Sequence, residues 1–147
     1  MSAQTFIEKR IARPGTKTAS GSKAMLWTGR VLSALPILFL LMDAAMKFVT
    51  PAPAPVVEAM NKLGYPASTA FGLGIVLLMS TVLYAVPRTA VLGAILLTGY
   101  LGGACSTHVR VQDGAFNILF PLVFGLMIWG GLYLRDSRVR ALIPLRG

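Results

Sequence analysis

Apolar residues in this chain gather in long runs, and short polar or turn-forming breaks separate the runs. The runs cover residues 26 to 49, 67 to 86, 89 to 109 and 115 to 134. Crossing a hydrocarbon core takes about 20 apolar residues at about 1.5 Å of rise each. The pattern therefore predicts an all-α integral membrane four-helix bundle. The breaks are T-P-A-P-A-P at 50 to 55, G-Y-P at 64 to 66, V-P-R at 86 to 88 and V-Q-D-G at 111 to 114. The last two are so short that spans two, three and four must be antiparallel neighbours. Only the connection over 50 to 66 is long. It opens a short helical pattern at Pro55 and closes it at Gly64, with Val56, Met60 and Leu63 on one face and Glu58 and Lys62 on another. This predicts an amphipathic outer helix between spans one and two, capping the bundle.

Composition agrees with lipid as the solvent. The 147 residues are 55% hydrophobic and 13% charged, with a net charge of +9. No basic stripe is interleaved with aromatics, so the charge does not point to nucleic acid. It follows position along the chain instead. Eleven Lys and Arg fall before span one or at its start (Arg30), between spans two and three, or after span four, against two, Lys62 and Arg110, on the opposite side, with Lys47 at the border. By the positive-inside rule both termini are expected in the cytoplasm, which suits a multi-pass protein of a bacterial inner membrane. Residues 1 to 24 read as a basic flexible cytoplasmic arm beside anionic headgroups, and 25 to 147 as the four-span membrane domain. One cysteine, Cys105, and one histidine, His108, provide no disulfide, no Cys-x-x-Cys and no zinc set, so no metal is expected.

Span one contains both signs of charge, in L-L-M-D-A-A-M-K-F-V at 40 to 49. If Arg30 marks the inner interface, Asp43 lies about 19 Å across and Lys47 about 25 Å, near the outer boundary. A central Asp or Lys costs roughly 2.5 to 3.5 kcal/mol on insertion scales. The pair must then avoid lipid, and depth marks Asp43 as the more sheltered member. Span three ends at the same depth with Ser106, Thr107, His108 and Arg110, and Tyr100 shares a helical row with His108. Span four begins there with Asn117, whose carbonyl loses its helical donor because Pro121 has no N–H. Asp43, Lys47, Tyr100, Ser106, Thr107, His108, Arg110 and Asn117 thus form the candidate ligand-binding set, with Glu58 and Tyr65 as a lid. Asp43 and His108 are the candidates for acid–base work. Each has a plainer reading: Asp43 with Lys47 as a structural ion pair, His108 as a hydrogen-bonding interface residue, Arg110 as an interfacial anchor. Gly99 and Gly103 form a small-residue ridge suited to an internal helix neighbour, or to a partner protein or second copy.

The order D-A-A-M-K-F at 43 to 48, L-G-Y-P at 63 to 66, V-P-R-T-A-V-L-G-A-I-L-L-T-G-Y-L-G-G-A at 86 to 104, T-H-V-R at 107 to 110 and W-G-G-L-Y-L-R-D at 129 to 136 resembles the DoxX-like family. That resemblance implies a compact four-span bundle. The family takes its name from a subunit of a thiosulfate:quinone oxidoreductase, and relatives are linked to redox complexes or chaperone-like roles. Lys47, His108 and Arg110 match the family's polar pattern. The leading expectation is a non-channel membrane subunit or binding protein of a redox- or quinone-linked system, with membrane lipid around it and a lipophilic small molecule, such as a quinone, as its ligand. The alternatives are a small membrane enzyme doing acid–base chemistry on a lipophilic substrate, and a chaperone-like assembly protein with a purely structural polar cluster.

Overall fold

The computed structural model describes residues 18–142 of the chain. Most of the expected basic arm lies outside the described residues. The elements are α1 (Thr18–Met46), α2 (Ala54–Lys62), α3 (Thr69–Ala85), α4 (Ala90–Arg110), α5 (Ala115–Arg135) and α6 (Ser137–Leu142). Among the described residues, three helices are long and apolar enough to cross a membrane: α1 over Lys23–Met46, α4 and α5. The run expected to form the second span becomes the shorter apolar α3, whose 17 residues reach about 25 Å. Its first residues are taken by turns after Pro66, with Thr69 N–H bonded to the Pro66 carbonyl and Ala70 N–H to that of Ala67. Pro87 stands just beyond its other end. The amphipathic helix forms as α2, with Met60 buried and Glu58 and Lys62 exposed.

The long helices form a ring in which α1 and α4 each pack on both α3 and α5. Neighbours run antiparallel, so one end of the bundle carries α2 and the α4–α5 turn, and the other carries α6 and the α3–α4 turn. Large apolar side chains cover the outside, with Leu38 66%, Leu126 74% and Phe116 75% exposed. Water would make such a surface a liability, whereas lipid makes it the solvated face.

The most buried polar groups in the spans find partners. Tyr84 of α3 is fully buried and is the largest such side chain. Its hydroxyl donates to the Ile128 carbonyl of α5 at 2.8 Å and lies 3.0 Å from Ser33 Oγ of α1, so one phenol joins three helices. Arg135 lies 4.9 Å from the Tyr84 ring centre and donates to the Tyr84 carbonyl at 3.2 Å. Glycine makes this approach possible. A Cβ on Gly131 would sit 2.4 Å from Ser33 Oγ, and one on Gly93 would sit 2.1 Å from the Tyr84 backbone nitrogen. The core of Leu77, Leu97, Ile128 and Leu132 fills in around the junction.

Gly99 and Gly103 behave differently. Nothing lies within 4 Å of the Cβ position of either, so the ridge expected to pack on an internal helix does not do so. Gly29, Gly93 and Gly131 pack closely at the α6 end, whereas at the other end Gly74 packs on Lys47 and Phe48. This separation predicts a contrast in thermal unfolding in detergent. Gly93→Ala, which forces a methyl into backbone, should cost about 1 to 3 kcal/mol. Gly99→Ala should be neutral or stabilise by up to about 1 kcal/mol through helix propensity. Tyr84→Phe should cost roughly 1 to 3 kcal/mol by stranding buried polar groups.

Candidate functional site

Above the Tyr84 core, toward the α2 end, the ring of helices is hollow. A cavity of about 470 Å³ lies there. Its lower walls are apolar and aromatic: Phe39 of α1 lies 5.4 Å from Phe120 and 4.8 Å from Phe124 of α5, ring centre to ring centre. Its upper walls carry Asp43, Lys47, Tyr65, Thr107 and His108, with Tyr100 two turns deeper on α4 than His108. Gly99 and Gly103 line it too, which explains why they lack helix neighbours.

Of the predicted site residues, Asp43, Lys47, Tyr100, Thr107 and His108 meet at this cavity. Ser106 is exposed and does not line it. Arg110 and Asn117 stand at the rim in structural bonds: Arg110 donates to the Leu63 carbonyl at 2.5 Å and Asn117 to Asp113 at 2.9 Å. Tyr65 serves as part of the lid, whereas Glu58 faces away and Met60 and Leu63 take its place.

Asp43 and Lys47 form the expected i,i+4 pair at 2.5 Å, but their shelter is reversed. The Lys47 side chain is 9% exposed and that of Asp43 38%. Depth alone misranked them, because shelter depends on what covers each face. Lys47 packs where α3 has only Gly74, whose Cβ position lies 3.0 Å from the lysine Cβ. Asp43 opens into the cavity.

Two helix ends shape the lid. After α2, Gly64 adopts φ 73°, its N–H bonds the Asn61 carbonyl, and the Tyr65 N–H bonds that of Met60. After α4, Gln112 adopts φ 51°, its N–H bonds the Val109 carbonyl, and the Asp113 N–H bonds that of His108. Both are Schellman motifs, which fold the following residue back over the last turn. The first brings Tyr65 to 3.4 Å from Thr107 Oγ1. The second brings the Asp113 carboxylate under His108, 2.9 Å from Nδ1.

Asp113 is the functional candidate that sequence reasoning missed, having been read only as part of a turn. The available signal was an acid five residues after the histidine, just past the helix end, where a left-handed residue returns the chain. Its side chain, 5% exposed, also takes Lys62 at 2.8 Å, Asn117 and the Gly114 N–H. The Lys62 ammonium first, then Asn117, His108 and Gly114, hold the carboxyl well below the usual carboxylate range, against a smaller upward push from desolvation. Lys62 belongs to α2, so this cluster clips the lid to the α4–α5 turn.

Because the Asp113 pKa is depressed in the folded state, its contribution is complete above the unfolded value of about 3.9 and is lost as pH falls below it. The stability gap between wild type and Asp113→Asn should therefore hold from pH 7 to 5 and shrink toward pH 3. Thermal unfolding in detergent across that range would show it; a gap unchanged at pH 3 would count against the clip. Gln112→Gly, which relaxes the left-handed position, should stabilise by about 1 kcal/mol.

Comparison with known proteins supplies the family. No curated protein and no solved structure gives a significant match. The family model described as DoxX-like family matches residues 31–131, which include α2, α3, α4, the cavity and the lid clip. With most of its length matched and its long apolar helices exposed around a small core, the chain is a membrane protein that belongs to the DoxX-like family.

Proposed function

We propose that this protein is a non-channel binding protein that takes a lipophilic molecule of the quinone class from the bilayer, within a redox-linked system of a bacterial inner membrane. One observation carries the reading: the cavity is apolar and aromatic below and carries polar side chains on its walls beneath the lid, the profile of a molecule with a greasy body and a polar head. Its volume of about 470 Å³ falls in the range of small-molecule sites, about 300 to 1,000 Å³. The Tyr84 core closes the bundle beneath it, which opposes a continuous ion path. All four apolar helices cross the membrane in this reading. The basic excess then puts both termini in the cytoplasm and the α2 lid outside.

A second reading, a membrane enzyme, is favoured by the His108–Asp113 contact, since a carboxylate-held imidazole is the arrangement of a positioned general base.

The binding reading is tested with purified protein in lipid nanodiscs and a short-chain ubiquinone analogue supplied in both redox forms. Gly103→Leu, which fills the cavity where nothing lies within 4 Å, should abolish binding while leaving the unfolding temperature near wild type. Asp43→Asn and His108→Ala should each weaken it about tenfold, the size of one charge-assisted hydrogen bond. Equal binding by all variants would sink the proposal. Turnover of a lipophilic substrate that vanishes with His108→Ala would favour the enzyme.

A further inference from the structure

Basic residues crowd the α6 end of the bundle, and no acid there pairs with them. Among the described residues that end carries Lys23, Arg30, Arg88, Arg135, Arg138 and Arg140 against a single acid, Asp136. The ion pairs among the described residues all lie at the lid end instead, on Asp43 and Asp113.

Two of these arginines meet in one cleft. It has a volume of about 240 Å³ and is lined by Arg30 of α1, Ala90 at the start of α4, and Arg135 and Asp136 at the end of α5, with Leu26 and Leu132 as apolar wall. Arg30 lies over the exposed Trp27 ring, 5.5 Å from its centre, which suits a guanidinium at the membrane border. Arg135 spends an Nη2 bond on the Tyr84 carbonyl, and a guanidinium has five N–H donors, so most of its fork stays open. The start of α4 is a third feature that favours an anion. Ala90 opens a helix of 21 residues whose first turn has no side-chain cap, because the Thr89 hydroxyl donates to the Leu83 carbonyl instead. Free N–H groups and the positive end of the helix dipole therefore border the same cleft.

Asp136 is the opposing charge. Its Oδ1 accepts the Arg138 N–H at 2.8 Å, and among the described residues it forms no ion pair with Arg30 or Arg135, although all three line the cleft. Two arginines against one carboxylate leave one positive charge, the match for a phosphodiester and not for a phosphate monoester, which carries about −1.5 to −2 at pH 7.

We infer that this cleft binds the headgroup of an anionic phospholipid, a phosphodiester with free hydroxyls, from the leaflet at the α6 end. Arg30, Arg135 and the first-turn N–H groups of α4 hold the phosphate oxygens by charge-assisted bonds. Asp136 accepts the headgroup hydroxyls, and Leu26 and Leu132 lie against the start of the acyl chains. The site stands at the opposite end from the lidded cavity and does not depend on what that cavity holds.

Phosphatidylglycerol titrated into the protein in a mild non-ionic detergent, with bound lipid read by native mass spectrometry, tests this. It should bind more tightly than phosphatidylcholine, with one molecule per chain held most strongly. Arg30 is exposed, so Arg30→Gln leaves the fold intact and should weaken that binding about fivefold, the contribution of one basic residue at an anionic surface. Arg138→Gln removes the same charge at the same end but outside the cleft, and should change it less than about twofold. Inorganic phosphate, which has the oxyanion without the chains, should not displace the lipid. Equal weakening by the two variants means diffuse attraction to the basic end and overturns the cleft. Equal binding of the two lipids overturns the anionic headgroup, and displacement by inorganic phosphate overturns the lipid as its source.

Discussion

The bond network of one buried phenol organises this bundle. In lipid no water can satisfy a stray polar group, so the Tyr84 hydroxyl requires both the α5 carbonyl and the α1 serine within reach. That requirement draws three helices together, and only glycine at positions 93 and 131 lets the backbones come that close. Arg135 then covers the Tyr84 ring and holds its carbonyl. Tight packing at the α6 end follows from these contacts.

The opposite end is shaped by the lack of such contacts. Gly99 and Gly103 remove side-chain volume from α4 where no neighbour advances to fill it. A void in a membrane bundle forfeits dispersion contacts, so it persists only where the surrounding structure is held by other means. Here the clip holds it: Asp113 takes Lys62 from α2, and Arg110 takes the Leu63 carbonyl at the end of the same helix. The lid is polar on its outer links and apolar underneath, where Met60 and Leu63 face the cavity. One end thus supplies rigidity, and the other supplies space with a defined set of hydrogen-bonding atoms.

The same residue types carry opposite meanings at the two ends. Glycine is contact at 131 and emptiness at 103. Acid is a cavity wall at Asp43 and a clasp at Asp113. The ion pair in α1 shows how far position around the helix outweighs depth, since the lysine nearer the boundary is the more covered member. His108 joins the two regions, because it lines the cavity while its Nδ1 is held by the clasp.

Much of the architecture was legible in the order of residues. Run length and apolar content specify long helices in lipid, Pro and Gly mark their ends, and the spacing of Val56, Met60 and Leu63 specifies α2, because these are local properties of backbone and solvent. The gathering of Asp43, Lys47, Thr107 and His108 at one level also followed from rise per residue along helices of known direction. Tertiary structure alone decided the rest. Which glycines are filled against depends on rotation of each helix about its axis, and four runs of nearly uniform hydrophobicity do not encode that rotation strongly. Asp113 reaches His108 only because Gln112 takes a left-handed conformation that few non-glycine residues adopt. Whether a polar side chain faces the cavity or a neighbouring helix depends on packing from other helices, and this separated Asp43 and His108 in the cavity wall from Ser106, Arg110 and Asn117 outside it, where the chain alone had shown one cluster.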